Sequence, residues 1–357
     1  MKKSLIVLAV LAASGATMAQ SSVTLFGVVD ARIAHGTGEV SDKTQLTQGG
    51  LSSSRIGFRG KEDLGGGLAA SFWLEAGVAN DNGSGTVATT NNQTADTSSI
   101  GLSFNRRSTV SLEGGFGEIR LGRDFTPQYL NHSAFDPFGD NGVGATQLIA
   151  SSLGGFTRTR ASNSMSYILP ANSLGGFYGQ AQYYLGENSQ NGAVTEDDGN
   201  GYGLRAGYAN GPFNVAIAFS ETQRARTATG GGDIQAFNLG GSYNLGVAKI
   251  SAVYSQDEVD GGDEGKGYLL GASVPVGAGE IRGSWATYKI DRAAGGAAPE
   301  SSKFALGYVH NLSKRTALYA TVAHLKNKGG AAMALNGAVT NANENSTGYD
   351  FGIRHTF

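Results

Sequence analysis

The sequence predicts an all-β fold, a transmembrane antiparallel up-and-down β-barrel of sixteen strands that occupies residues 20–357. Three observations indicate this fold. Apolar and polar residues alternate in short segments throughout the chain, and the connections between these segments are alternately short and long. In addition, no apolar run after Ala13 approaches the roughly 20 residues that a transmembrane helix needs.

Residues 1–19 are expected to be a secretory signal peptide that is cleaved after Sec-dependent export. Two lysines give the segment a positive start, an apolar stretch follows at 5–13, and Ala19 ends a pattern of small residues before Gln20. The alternative is an uncleaved anchor. The apolar stretch is too short to span a bilayer as a helix, which favours cleavage before Gln20.

The composition excludes several classes of function. Lys and Arg number 27 against 29 Asp and Glu, which is not the clustered basic excess that nucleic-acid binding requires, so no nucleic-acid partner is expected. Cysteine is absent, which excludes disulfides, thiol nucleophiles and thiolate metal sites. The 56 glycines and 6 prolines fit many turns and closely packed strands. A hydrophobic fraction of 40% suits strands that face lipid at every second residue.

The first predicted strand shows the alternation clearly. One face carries Val23, Leu25, Gly27, Val29, Ala31 and Ile33, and the other carries Thr24, Asp30 and Arg32. Asp30 and Arg32 are therefore expected to point away from lipid. A half-buried strand of a soluble protein would give the same local pattern, so the fold prediction depends on its repetition.

Fifteen connections separate the predicted strands. The short ones are at 64–67, 114–117, 172–176, 209–212, 245–247, 276–279 and 311–315. The long ones are at 36–50, 80–98, 124–159, 187–200, 224–232, 257–265, 292–300 and 326–346. Sorting of this kind is typical of a membrane barrel with tight periplasmic turns and long external loops. A sixteen-stranded barrel is too wide for side chains to fill, so its lumen is expected to hold water.

The last predicted strand ends on an aromatic residue. Its outward face is predicted to carry Tyr349, Phe351, Ile353, His355 and Phe357. Phe357 would then lie in the aromatic girdle at the periplasmic interface. A buried terminal Phe in a soluble sheet is the alternative interpretation.

Five motifs in order along the chain resemble the trimeric general porins of Gram-negative bacteria, in particular the β-proteobacterial type. They are Val23-Thr-Leu-Phe-Gly, the segments 54–68 and 115–123, Arg160-Ala-Ser-Asn-Ser and Gly352-Ile-Arg-His-Thr-Phe357. The resemblance implies a homotrimer in the outer membrane, in contact with its lipids and lipopolysaccharide. It also implies that the third loop, 124–159, folds into the lumen and constricts it, and that Phe357 is part of the signal read by the barrel-assembly machinery.

Strand parity predicts which charged residues line the lumen. Where apolar neighbours face lipid, the alternate residues must face inward. The lumen-lining residues predicted in this way are Arg59, Lys61, Glu118 and Arg120.

The resemblance implies a cluster of arginines on the barrel wall at the constriction. Arg55, Arg107 and Arg160 are predicted to form it, because each begins a strand near a long loop and two of the three lie in the family's motifs. The choice between Arg106 and Arg107 stays open, since a β-bulge would exchange their faces. In the third loop, the segment from Phe135 to Asp140 resembles the constriction-loop signature of the family. The resemblance therefore implies that Asp136 and Asp140 face the wall arginines.

The predicted function is passive diffusion of small hydrophilic solutes and ions through a water-filled channel, with a mild anion preference because arginines favour anions. The alternative is a substrate-selective channel for small organic anions. A sugar channel would need aromatic residues along the lumen. The aromatic residues are expected mainly on the lipid face instead, among them Phe58, Tyr167, Tyr183, Phe219, Tyr243, Tyr254 and Tyr319.

Two further classes of protein fit the sequence less well. An enzyme is not expected, because none of the five histidines lies in a nucleophile-elbow or HExxH motif. No catalytic residue, metal site or cofactor is predicted. A soluble secreted β protein would have no reason to sort its loops into short and long sets.

Overall fold

The structure is a computed structural model that describes residues 22–86, 88–89, 91–93, 95–96, 101–146, 153, 155–170, 174–227 and 231–357. The predicted signal peptide, 1–19, lies outside the described residues, as does part of the predicted third loop. The strands of the barrel wall all lie within them.

Sixteen strands form the wall in this part of the chain. They are β1 (Ser22–Gly36), β2 (Arg55–Gly65), β3 (Leu68–Ala79), β4 (Arg107–Gly114), β5 (Gly117–Phe125), β6 (Arg160–Ile168), β7 (Phe177–Tyr184), β8 (Gly201–Asn210), β9 (Phe213–Thr222), β10 (Ile234–Asn244), β11 (Lys249–Val259), β12 (Glu264–Val276), β13 (Gly279–Asp291), β14 (Glu300–Asn311), β15 (Thr316–Lys328) and β16 (Ser346–Thr356).

Shorter elements lie in the connections. They are helix α1 (Pro127–Phe135), a 3-10 helix (Phe156–Arg158) and the short strands Lys43–Gln48, Ser84–Gly85, Ala88–Thr89 and Ala95–Asp96. Within the described chain, no helix has the length and apolarity needed to cross a membrane.

The sheet closes on itself through β1. The first half of this strand pairs with β2, where Val28 lies opposite Arg55, and the second half pairs with β16, where Val28 lies opposite Thr356. All the other wall strands pair antiparallel with their neighbours in sequence. The predicted sixteen-stranded antiparallel barrel is therefore confirmed.

The connections alternate between the two rims largely as predicted. One rim carries 66–67, 115–116, 169–176, 211–212, 245–248, 277–278 and 312–315. The other rim carries 37–54, 80–106, 126–159, 185–200, 223–233, 260–263, 292–299 and 329–345. The connection between β11 and β12 was predicted to be long, at 257–265. It is short, at 260–263, because β11 continues to Val259 and β12 begins at Glu264.

Side-chain exposure follows the predicted alternation. In β1, Val23 and Ile33 are exposed on the outer face, whereas Asp30 is buried on the inner face. In β16, Phe351 is exposed and Asp350 is buried. Apolar side chains thus face outward, as a lipid environment requires, and polar side chains face the interior of the barrel.

Tyr319 departs from the predicted outward set of aromatic residues. It is 3% exposed, its Cα lies opposite that of Gly352, and its hydroxyl donates a hydrogen bond to Asp30 inside the barrel. The inward face of β15 also contains buried Ala317 and Leu325. Both faces of this strand are therefore apolar, and the period-two pattern does not distinguish them.

Apolar residues inside the barrel cluster where the third loop packs against the wall. Phe135, at the end of α1, contacts a buried group formed by Ala216, Val253, Leu269 and Ala286 from four wall strands, β9, β11, β12 and β13. A core of this kind in an otherwise polar interior shows that the loop lies against the inner surface of the barrel.

Candidate functional site

Three arginines lie together at the long-loop end of β2, β4 and β6. We call Arg55, Arg106 and Arg160 the arginine cluster. The Oε1 atom of Glu75, on β3, lies 2.6 Å from Nε of Arg106 and 3.4 Å from Nη1 of Arg55. The other carboxylate oxygen, Oε2, accepts a hydrogen bond of 3.0 Å from Nε1 of Trp73. One buried carboxylate thus orders two guanidinium groups, and the cluster keeps a net positive charge.

Arg160 connects the cluster to the loop. Its Nε donates a hydrogen bond of 2.8 Å to the carbonyl of Arg106, and its guanidinium lies 4.2 Å from the centre of the Phe125 ring. Phe125 in turn stacks on Tyr129 of α1, with ring centres 4.7 Å apart. Cation–π contact and stacking therefore fix the guanidinium beside the helix of the third loop.

The structure separates Arg106 from Arg107. Arg106 precedes β4, so strand parity does not apply to it, and its side chain reaches Glu75 from the strand end. Arg107 begins β4 with its Cα opposite that of Glu75, and its side chain also faces inward. Its Nε donates to Thr109 at 3.0 Å, and its guanidinium lies 4.6 Å from the Trp73 ring. Of the two, Arg106 is the residue that shares a carboxylate with Arg55.

The predicted lumen-lining residues meet in a second group nearer the short turns. Arg59, Lys61, Glu118 and Arg120 all border one cavity of about 320 Å³, together with Arg107. Arg120 binds both oxygens of Glu118, at 2.8 and 2.9 Å. We call this cavity the lower basic cavity.

The basic side chains of the lower basic cavity differ in how their positive charges are neutralised. Arg120 also contacts Asp124, at 2.6 Å, and Lys61 contacts Glu113, at 2.5 Å. Arg59 lies instead against two aromatic rings, with its guanidinium 5.1 Å from Trp73 and 5.2 Å from Phe26. Most of the positive charge here is therefore paired with wall carboxylates, although more cations than acids border the cavity.

Asp136 does not present its carboxylate to the lumen. The residue is 6% exposed. Its Oδ1 accepts the backbone N–H of Phe138 at 2.9 Å, and its Oδ2 accepts the N–H of Thr146 at 3.1 Å and the hydroxyl of Thr146 at 2.5 Å. These bonds hold the turn that follows α1, so Asp136 shapes the loop from within.

Asp140 lies in the same turn and is only partly buried. Removal from water and the neighbouring Asp136 raise the pKa of Asp140 to about 7, while Arg158, Lys303 and Arg160 act in the opposite direction. The Asp140 carboxyl is therefore within electrostatic range of the arginine cluster and titrates close to neutral pH.

Polar side chains of the opposite wall bind the backbone of the loop. Nζ of Lys303, on β14, donates to the carbonyls of Val143, at 3.0 Å, and Ala145. The N–H of Val143 donates to Oδ2 of Asp350, on β16, at 2.6 Å. The loop thus begins at β5, crosses the interior and is attached on the far side of the barrel.

The helix is attached in the same way. Nδ2 of Asn131 donates to Oδ1 of Asn238 at 2.6 Å, and Nδ2 of Asn238 donates to the carbonyl of Gln128 at 3.0 Å. These residues, like Glu75 and Lys303, were not predicted from the sequence. For Glu75, Asn238 and Lys303 a signal existed, since each is a polar residue on the inward face of an alternating strand, but parity does not show what the residue contacts.

Among the described residues, no three or more His, Asp or Glu side chains are grouped so that they could hold a metal ion.

Comparison with known proteins gives concordant matches. A model of the Gram-negative porin family matches residues 4–330. The chain is 42% identical to outer membrane porin protein 32 of Delftia acidovorans, over all of both chains. It is similar in structure to the anion-selective porin from Comamonas acidovorans, with a TM-score of 0.82, 36% identity and coverage of 95% of this chain and 100% of that one. The trimer form of OmpT from Vibrio cholerae matches at a TM-score of 0.65 and 15% identity, over 94% of this chain and 99% of that one.

Proposed function

This chain belongs to the Gram-negative porin family and forms a channel in the outer membrane, and from that premise we propose that the channel passes small hydrophilic solutes and ions with a mild preference for anions. The observation that carries the proposal is the arginine cluster beside the third loop, where three guanidinium groups face one buried carboxylate, Glu75.

A permanent positive charge explains the preference physically. Guanidinium groups stay protonated over the whole physiological pH range, and cationic side chains in a pore lower the energy of passing anions. The similar anion-selective porin from Comamonas acidovorans supports the proposal.

The segment 124–159 is the proposed constriction loop. Its described part lies against the inner wall and brings Asp140 within electrostatic range of Arg160. A carboxyl group facing guanidinium groups creates a transverse field that orients dipolar solutes as they pass. Arg55, Arg106 and Arg160 on the wall and Asp140 on the loop are the residues we assign to this field.

The reversal potential of the purified protein in a planar bilayer, under a potassium chloride gradient, tests the proposal. We expect a potential with the sign of chloride preference at neutral pH. A potential with the sign of potassium preference would contradict it.

A substrate-selective channel for small organic anions is the second candidate, and the lower basic cavity favours it. Arg59, Lys61, Arg107 and Arg120 border this cavity against Glu113 and Glu118, which leaves donors for a dicarboxylate. Saturable block of the chloride current by succinate would support selectivity. A current that depends on succinate only through its ionic strength would favour the general porin.

Assembly and processing are further parts of the proposal. We assign a homotrimer, as in the trimer form solved for OmpT, with lipids and lipopolysaccharide around it. A trimer band that dissociates on heating in gel electrophoresis would support this assembly. A monomer under all gentle conditions would contradict it.

The chain ends have proposed roles as well. Cleavage before Gln20 predicts that the purified protein starts at that residue when its N-terminus is sequenced. Phe357 is proposed to be read by the barrel-assembly machinery, so that its deletion reduces the amount of folded barrel in the outer membrane. The relatives are channels, and we assign no catalytic activity to this one.

A further inference from the structure

We propose that five inward-facing glycines of the barrel wall form a seat for the third loop and thereby set the width of the channel. They lie on alternate strands, β8, β10, β12, β14 and β16, and we call them the glycine track: Gly203, Gly240, Gly271, Gly307 and Gly348. The effect on channel width rests on the proposed role of the loop as the constriction.

The two central glycines make the closest approach to the loop. A Cβ atom added to Gly240 would overlap the ring of Phe135, and one added to Gly271 would overlap the ring of Pro137. Real Cβ atoms do not come this close to other heavy atoms. At these positions the loop therefore occupies the volume that any other side chain would take.

The remaining glycines receive the loop in the same manner. An added Cβ would lie 2.9 Å from Pro127 Cδ at Gly203, 3.0 Å from Phe138 Cε1 at Gly307 and 2.5 Å from Val143 Cγ2 at Gly348. The partners in the loop follow one another in sequence as the strands do. The described loop from Pro127 to Val143 is thus laid along the wall as one continuous contact.

Backbone conformation does not explain these glycines. None of the five has a positive φ, so an L-amino acid with a side chain could adopt the same backbone. Glycine in a strand interior usually weakens the strand and marks a close approach of other atoms. The space taken by the loop is therefore the physical reason for glycine at four of the positions. At Gly307 the loop shares this role with the wall, because an added Cβ would also lie 2.8 Å from Oγ1 of Thr321 on β15.

Polar contacts fix the loop at this depth. Asn131 binds Asn238 beside Gly240, while Lys303 and Asp350 bind the backbone of Val143 at the far end. Because the wall closes one side, a loop lifted from its seat can only move toward the lumen. There it would approach the arginine cluster, from which Arg160 already reaches the loop helix through Phe125.

Substitution of the central glycines tests the proposal. We expect Gly240→Ala and Gly271→Ala each to lower single-channel conductance by roughly one third or more, because overpacking displaces the loop into the channel. Gly241→Ala and Gly283→Ala are matched controls, since their added Cβ atoms would meet nothing closer than 3.7 and 3.8 Å. Equal conductance in all four variants would overturn the proposed effect of the glycine track on channel width.

A second substitution keeps the test independent of folding. Phe135→Ala removes the ring that the Gly240→Ala methyl would overlap, so the double variant should assemble and conduct at or above the parental level. The double variant would contradict this if it conducts as little as the Gly240→Ala variant. It would also contradict it if Gly240→Ala prevents assembly and the double variant still fails to assemble. In either case the added methyl group would act through contacts other than the one with Phe135.

Amide hydrogen exchange of residues 127–143 tests the packing of the loop on the glycine track separately from its effect on conductance. Faster exchange in Gly240→Ala and Gly271→Ala than in the controls, together with lower conductance, is the expected result. Faster exchange with unchanged conductance would support the glycine track but contradict the constriction role of the loop. Exchange and conductance both equal to the controls would overturn the track itself.

Discussion

The two sides of the lumen use their inward residues differently. From β2 to β6 the inward side chains are charged and contact one another, as Glu75 contacts Arg106 and Glu118 contacts Arg120. From β8 to β16 they are mostly small or buried, and two of the charged ones, Lys303 and Asp350, bind the loop backbone. One side therefore displays charge to the solute, and the other holds the loop in place.

Because the two sides differ in this way, mutations should be able to change the charge that lines the channel and the width of the channel separately. Selectivity depends on uncompensated charge beside the path, and we propose that the arginine cluster provides this charge. Conductance depends on the free cross-section of the channel, and we propose that the packing of the loop against the far wall determines it. Substitutions on one side should change mainly one of these two properties.

Removal of the arginine cluster is expected to have the largest effect. Arg55→Ala, Arg106→Ala and Arg160→Ala together should reduce the chloride preference by roughly five-fold or more, because three fixed charges leave the path. Reversal potentials measure this change. Adding Glu75→Gln removes the buried carboxylate that would otherwise lack a cationic partner.

Loop arginines provide the matched control for that triple variant. Arg224, Arg226 and Arg292 lie exposed in the long loops, so their replacement by Ala removes the same charge outside the lumen. An equal loss of selectivity in both triple variants would mean that overall charge, and not the cluster, determines the preference.

The attachment of the loop to the opposite wall can be disrupted by replacing Lys303. Lys303→Met removes the donor of two buried carbonyls, those of Val143 and Ala145, which should cost about 2–4 kcal/mol of local stability. We expect a noisier single-channel current and faster amide exchange at 141–146, with selectivity largely kept. Lys266→Met, at a half-exposed ion pair, is the control. A quiet current in Lys303→Met would show that the loop does not depend on this attachment.

Arg106 and Arg107 should differ when each is replaced alone. Arg106→Ala is expected to lower the chloride preference more than Arg107→Ala, because Arg107 lies below the cluster, 3.6 Å from the Asp124 carboxylate. Reversal potentials of the two single variants provide the comparison. A larger effect of Arg107→Ala would place the selective region in the lower basic cavity.

A pH change should have the smallest effect. Burial and the adjacent Asp136 raise the pKa of Asp140 to about 7. The carboxyl is therefore mostly charged at pH 8 and mostly neutral at pH 6. Chloride preference should rise by less than about two-fold as the pH falls between these values, since one negative charge is lost.

Asp140→Asn provides the test of that assignment. This variant should show no change between pH 8 and pH 6 and should match the parent at pH 6. An unaltered pH response in the variant would assign the titration to another group.

The wall could be predicted from the sequence because lipid imposes a strict rule. Outward residues at the depth of the hydrocarbon must be mainly apolar, so the period-two pattern gives both the strand and its orientation, as Phe351 and Asp350 illustrate. The rule fails where its physical cause is absent. Arg106 lies outside a strand, and Tyr319 lies in a strand with two apolar faces.

The candidate site could be predicted only in part, because contacts inside the lumen join residues far apart in the sequence. Parity placed Arg55 and Arg160 on the inner wall, but it does not show that Glu75 binds Arg55 or that Asp136 is used within its own turn. The glycine track corresponds to a weak repeated pattern in the sequence, in which an outward Leu precedes an inward Gly: Leu239-Gly240, Leu270-Gly271 and Leu306-Gly307. This pattern can be interpreted only when the position of the loop that packs against each glycine is known.

Recording conductance and reversal potential on the same single channels tests the division between the two sides most directly. The Arg55→Ala, Arg106→Ala and Arg160→Ala variant should lose chloride preference with conductance equal to or above the parent. Gly240→Ala should lose conductance and keep its preference. Loss of both properties together in both variants would contradict the division of charge and width between the two walls.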